Sequence, residues 1–182
     1  MKVLKSIFCL FLICTLLSSC ITYDYYDENG NQVYKDYYRA IQFSYPKDWK
    51  VEMREDDGGL FVAPKEYQGL TEPHIYITVV YNEQPNTENI NSDLEQYVND
   101  IKNTYIDVEI IDYGTVSNKA NNNTQYIKYK YTDKDGNKLY ASDRIVFVSM
   151  LTLLATARCD ADKMEQYDSN FDITLDTLTI FS

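Results

Sequence analysis

Three stretches of β-forming residues follow one another with little between them, and they restrict the fold more than any other feature of the chain. Val108–Val116, Gln125–Thr132 and Leu139–Ala157 are rich in Val, Ile, Tyr, Thr and Leu, side chains that fit a pleated, half-buried surface. The link between the second and third contains Asp135-Gly136, a two-residue hairpin signal because both residues tolerate positive φ. The first link, Asn118-Lys119-Ala120-Asn121-Asn122-Asn123, reads as a polar loop. Links this short join antiparallel neighbours, since parallel strands need a crossover of a dozen residues or more. Tyr126, Lys128 and Lys130 alternate imperfectly with Tyr129 and Tyr131, as in a strand with one wetter face. Arg144 to Ala157 is long and apolar, which predicts a central strand, bent or bulged in its middle.

Upstream, Ile41-Gln42-Phe43-Ser44-Tyr45 alternates with period two and is stopped by Pro46. Trp49 to Met53 reads as a second strand, with Trp49 in the core. Asp57-Gly58-Gly59 is a turn, Leu60 to Ala63 a third strand ended by Pro64, and His74 to Tyr81 a fourth. After a polar stretch from Asn82 to Asn91, Ser92-Asp93-Leu94-Glu95 has the form of a capping box with Ser92 as N-cap. Leu94, Tyr97, Val98, Ile101 and Tyr105 then fall at spacings of three and four, the stripe of an amphipathic helix. At the C-terminus, Asp160 is placed to cap a first helical turn and Ser169 a second segment, on which Phe171, Leu175 and Leu178 share a face. Strands, a helix, more strands and a final helix make an α+β domain: an antiparallel sheet of about six to seven strands with helices packed beside it.

The chain opens Met1-Lys2-Val3-Leu4-Lys5, followed by an apolar run from Ile7 to Leu17 and then Ser18-Ser19-Cys20. Positive charge, a short apolar stretch and small residues before a cut form a secretory signal. The run falls short of the roughly 20 residues that span a bilayer. Leu17-Ser18-Ser19-Cys20 resembles the lipobox of bacterial lipoproteins. The resemblance implies cleavage before Cys20, lipidation of its thiol and an extracytoplasmic protein anchored to a bacterial membrane. Residues 1–19 would be signal peptide and residues 20–39 a lipidated N-terminus with a tether or a hairpin about Asn29-Gly30. Residues 40–182 would be one domain. Tyr25 to Tyr34 echoes Tyr131 to Tyr140 in its turn chemistry.

Loss of Lys2 and Lys5 with the signal would move the formal charge from −11 to −13. That acidity argues against a nucleic-acid partner, which needs clustered Lys and Arg. Cys9 and Cys14 would leave with the signal and Cys20 would carry lipid, so Cys159 has no partner for a disulfide and is expected buried and inert.

Groups that could carry chemistry are few. His74 is the only histidine, and its place after Pro73 at a strand start predicts an exposed or edge position, not catalysis. No phosphate-cradling glycine loop or nucleophile elbow is present. Asp133-Lys134-Asp135-Gly136-Asn137 has the glycine fourth, not sixth as a calcium loop requires, and reads as a hairpin turn. Glu55, Asp56 and Asp57 could serve as acids but are expected to be solvated. We therefore expect no catalytic, cofactor or metal site. Eighteen tyrosines include a concentration from Tyr23 to Tyr45, and an exposed tyrosine surface would suit a protein contact.

The element order, with Phe43-Ser44-Tyr45-Pro46-Lys47-Asp48-Trp49-Lys50-Val51, Leu151 to Ala157, and Tyr167-Asp168-Ser169-Asn170-Phe171 leading to Leu178, resembles the PsbP-like fold. Extrinsic photosystem proteins and Mog-type Ran-binding proteins share that fold, and bacterial lipoproteins of unassigned role also carry it. The resemblance covers about residues 40–182. It implies a sandwich around an antiparallel sheet and a role in binding or assembly, with a protein partner, and not an enzyme. A lipoprotein that binds a small ligand between sheet and helices is the alternative, and a carboxylate-based hydrolase a more distant one.

Overall fold

The computed structural model describes residues 25–67, 69, 71–81, 90–117, 123–148 and 151–180. The expected signal segment, Cys20 and most of both polar loops lie outside these residues. The strands are β1 (Gln32–Asp36), β2 (Ile41–Tyr45), β3 (Trp49–Met53), β4 (Leu60–Pro64), β5 (His74–Tyr81), β6 (Ile106–Ser117), β7 (Asn123–Thr132), β8 (Lys138–Val148), β9 (Leu151–Asp160) and β10 (Thr179–Ile180). Helix α1 (Ile90–Thr104) falls between β5 and β6. A 3₁₀ turn (Ala161–Lys163) leads into helix α2 (Met164–Thr177) before β10.

These elements form the expected α+β arrangement, but in two sheets. Seven strands run in the order β3-β4-β5-β9-β8-β7-β6, and β1-β2-β10 make a small separate sheet. Every pairing is antiparallel. Strand β1 lies upstream of residue 40 and pairs with β2 from Gln32↔Tyr45 to Asp36↔Ile41.

Leu139–Ala157 is two strands, not one. β8 and β9 fold back on each other in register from Leu139↔Asp160 to Val148↔Leu151. Both are interior strands of the seven-stranded sheet, so both faces of each are covered or half-covered and the run reads as continuously apolar. Periodicity cannot mark a reversal inside such a run, and Ser149-Met150 carries none of the Gly, Asn or Asp that would announce one.

The two Asn-Gly and Asp-Gly signals are nearly identical turns. Asp27 Oδ1 accepts from the amides of Asn29 and Asn31, both at 2.9 Å, and Gly30 has φ 79°. Asp133 Oδ1 accepts from the amides of Asp135 and Asn137, again at 2.9 Å, and Gly136 has φ 85°. The Asp133 carboxylate is thus occupied by its own turn.

Helix boundaries differ from the sequence expectation. α1 begins at Ile90, which puts Ser92 inside its first turn and not at its cap. Ser169 lies within the single continuous α2. Asp160 does precede the 3₁₀ turn but makes no capping hydrogen bond. Its carboxylate instead pairs with Lys163 at 3.3 Å.

Residues opposite one another in antiparallel strands share a face of the sheet, so the register sorts the core. One face carries Ile75 and Ile77 of β5, Leu153, Ala155, Ala157 and Cys159 of β9, and Trp49, Leu60 and Val62. Against it pack Ile41 and Phe43 of the small sheet and Phe171 and Leu175 of α2, all fully buried. The Trp49 and Phe171 rings meet edge to face, with centroids 6.0 Å apart. The polar flank of α2 is tied to the sheet by Lys128 Nζ to Asp168 (2.9 Å) and Arg144 Nη2 to Asp176 (3.0 Å).

The opposite face is covered only in part. The stripe of α1, with Leu94, Val98 and Ile101 buried, packs on Ile127, Tyr129 and Tyr131 of β7 and Leu139 and Ala141 of β8. Strands β4, β5 and β9 lie beyond the reach of this cluster, and their residues on this face floor an open cleft.

Candidate functional site

Two rows of residues cross the uncovered face. His74 of β5 is opposite Arg158 of β9, which is opposite Ala141 of β8. One step along, Tyr76 is opposite Thr156, which is opposite Asp143. Because α1 stops at β8, the first two residues of each row face a cavity of about 480 Å³, within the roughly 300–1,000 Å³ of small-molecule sites. Phe61 of β4 and Leu154 of β9 add apolar surface, and Arg54 and Asp57 enclose it from the β3–β4 turn.

His74 is neither exposed nor at a sheet edge, contrary to the sequence expectation. It is buried on an interior strand, stacked on Phe61 with centroids 5.3 Å apart, and Tyr67 stands edge-on to both rings. Its Nδ1 lies 2.9 Å from the Glu72 carbonyl oxygen. A carbonyl can only accept, so Nδ1 carries the proton and Nε2 is a lone-pair nitrogen. Burial, with the nearby Arg158 guanidinium, pushes the imidazole below its ordinary value of 6.5 despite that hydrogen bond, and the ring is neutral at pH 7.

The turn that carries Asp57 is shaped around Tyr76. The tyrosine hydroxyl donates to Asp57 Oδ2, and Asp57 Oδ1 accepts from the Gly59 amide at 3.0 Å. A Cβ at Gly59 would run into the Tyr76 ring, so any larger residue there would have to displace the tyrosine. The Tyr76 bond and the Gly59 amide hold the Asp57 carboxyl below its usual range. Of the three acids singled out from the sequence, Asp57 alone lines the cavity, and as a bonded carboxylate. Glu55 and Asp56 are exposed.

At the border between cleft and α1 lies a polar cluster that the sequence reading missed. Asp143 is wholly buried, and its Oδ2 accepts from Tyr97 Oη of α1 (2.9 Å) and Tyr129 Oη (3.3 Å). Burial raises its pKa, against lowering by Thr156, Tyr97 and the Arg158 charge. Arg158 reaches Tyr105 Oη through Nη2 at 3.4 Å. Asp143 Oδ1 and Arg158 Nε are buried with no hydrogen-bond partner among the described residues, a rare condition in folded proteins. A signal existed for Arg158, a charge that follows the apolar run Leu151 to Ala157; Asp143 stands beside Ser142 and Arg144 and carried none.

Cys159 sits next to Arg158 in sequence and therefore on the other face of the sheet, fully buried. Burial pushes its thiol up to about 12, as an inert core cysteine should be. It is on the wrong side to pair with His74. Tyr25, Tyr26, Tyr37 and Tyr38 are exposed, Tyr38 by 93 %. Cys20 lies outside the described residues.

The architecture is that of the PsbP/Mog-like class of α+β folds. No family model and no curated protein sequence matches the chain, but solved structures do. It is similar to the cyanobacterial PsbP protein CyanoP of Synechocystis sp. PCC 6803, with TM-score 0.60 and 13 % identity over 91 % of this chain and 99 % of that one. LpqN of Mycobacterium tuberculosis, described as involved in cell envelope biogenesis, matches with TM-score 0.60 and 12 % identity over 78 % and 83 % of the two chains. The Ran-binding protein Mog1p of Saccharomyces cerevisiae matches with TM-score 0.55 and 11 % identity over 82 % and 95 %. At these identities the likeness establishes the shared fold.

Proposed function

We propose that this chain is a lipid-anchored, extracytoplasmic binding module without a catalytic role, and that the cleft beside α1 is its binding place. The observation that carries the reading is the half-covered sheet: α1 closes β6 to β8 and leaves the floor of β4, β5 and β9 open, with Arg158 and His74 in it. The proposal gives no residue a catalytic role: Asp57 is engaged by Tyr76 and the Gly59 amide, and the described thiol, Cys159, lies on the other face of the sheet from His74. The anchor rests on Lys2, Lys5, the run Ile7 to Leu17 and the lipobox ending in Cys20. Two acyl chains or more make such anchoring stable. That LpqN acts in envelope biogenesis and Mog1p binds Ran lends weight to a binding role on this fold.

A second surface is favoured by the exposure of Tyr25, Tyr26, Tyr37 and Tyr38: a protein partner held for assembly through tyrosines. In-cell photo-cross-linking of the full-length protein separates the two, with the reactive group at Thr78 in the cleft, at Tyr38, or at Lys134 in the far turn. A recurrent adduct from Thr78 supports the cleft, and one from Tyr38 alone supports the tyrosine surface. No adduct above the Lys134 control from either contradicts a binding module. Fractionation of Cys20→Ala tests the anchor: the variant should leave the membrane fraction, and retention equal to wild type would refute lipidation.

A further inference from the structure

The polar groups of the cleft are unequally engaged. The Tyr76 hydroxyl is bonded to Asp57, and Thr78 Oγ1 donates to the Leu154 carbonyl at 3.4 Å. His74 Nε2 can accept but not donate. Arg54, at the rim, pairs with Asp56 at 3.6 Å. Among the described residues no carboxylate lies within 4.0 Å of the Arg158 guanidinium, and its one hydrogen bond, to Tyr105, is long. A guanidinium presents a planar fork of donors matched to an oxyanion, and this one lines a cavity whose apolar walls are Phe61 and Leu154, beside the His74 ring.

We propose that the cleft takes a small monoanion, a carboxylate carried on a small apolar body, with Arg158 holding the carboxylate and Phe61 and Leu154 covering the body. The inference rests on the cleft being the binding place and adds the class of ligand. Of the two guanidiniums in the lining, Arg54 is paired with Asp56, while Arg158 has no carboxylate partner among the described residues. An excess of negative charge over the whole molecule penalises a doubly charged phosphate monoester more than a carboxylate. The Asp57 carboxylate is turned to the Gly59 amide and Tyr76, so it does not compete for Arg158.

The test is calorimetric and saturation-transfer NMR titration of the full-length protein with phenylacetate, phenylacetamide, phenethylamine and phenyl phosphate. Phenylacetate should bind, and the amide and amine should bind at least tenfold more weakly. Arg158→Met should cost about tenfold or more, as expected for a charged hydrogen bond, and Arg158→Lys less than that. Thermal melts show whether each variant folds. If Arg158→Met does not fold, Leu154→Trp, which fills the cavity, should abolish phenylacetate binding. Equal binding of acid and amide, or an unchanged Kd in folded Arg158→Met, would overturn the anion assignment while leaving the cleft as binding place. Tighter binding of phenyl phosphate would overturn the carboxylate. If no probe binds at millimolar concentration the ligand class is wrong, and the Thr78 adduct decides the wider reading separately.

Discussion

The hydroxyl of Tyr97 on α1 donates to Asp143 on β8 at 2.9 Å, and that bond marks where the helix stops covering the sheet. On one side of it Val98 and Ile101 close on β7 and β8. On the other lie Thr156, Arg158 and the cleft. Tyr97→Phe should loosen this border. A buried hydrogen bond contributes about 0.5–1.5 kcal/mol, and leaving a buried acceptor with one partner fewer adds to the loss. Urea denaturation should show about 1–2 kcal/mol less stability, and an unchanged midpoint would mean that Asp143 does not fix the helix.

Asp143 also predicts a pH dependence. Its carboxyl is raised by burial in the folded protein, so the native state holds that proton more tightly than the unfolded chain. Its contribution is most favourable below the ordinary Asp value and is lost as pH rises through the raised one. Asp143→Asn removes the effect. The stability of the Asn variant relative to wild type should therefore increase from pH 4 to pH 8. A flat difference would refute the raised pKa.

His74 has the opposite sense. Its imidazole is depressed below 6.5, so the unfolded chain binds the proton first. The stability tied to the neutral ring is complete above 6.5 and is lost as pH falls toward the depressed value. As the sole histidine, its ring protons give one NMR titration curve, with a midpoint expected below 6.5. A midpoint at or above 6.5 would place the ring in solvent.

Cys159, fully buried with its thiol pushed up to about 12, should not react with a thiol reagent in the native protein at pH 8 and should react fully in denaturant. Native reactivity at the rate of a free thiol would show that β9 is exposed.

Phe171→Ala, which removes the ring packed on Trp49 and Tyr140, should destabilise the domain by about 3–5 kcal/mol. A change below 1 kcal/mol in denaturant titration would mean that α2 does not close this face.

Local signals in the sequence proved the most informative. The stripe Leu94, Val98 and Ile101 located α1 to within a turn, and the Asp133 to Asn137 turn was legible because its chemistry is complete within five residues. What depends on distant strands was hidden. The reversal between β8 and β9 lies in a run that is apolar on both faces and lacks turn residues. His74 is buried by Phe61 and Tyr67, which its own neighbours do not announce. The facing of Arg158 and His74 is set by a register between strands more than eighty residues apart in sequence, and no spacing within either segment encodes it. The charge of Arg158 inside LTLLATAR was visible, but its environment was not.

The most direct measurement is chemical-shift mapping of phenylacetate on the isotopically labelled full-length protein. The account predicts shifts concentrated at Phe61, His74, Tyr76, Thr156 and Arg158, with little change at Phe171 and Leu175 on the other face. Saturable shifts centred under α2 or around Tyr37 and Tyr38, with none at Arg158, would contradict the assignment of the half-covered face as the binding place.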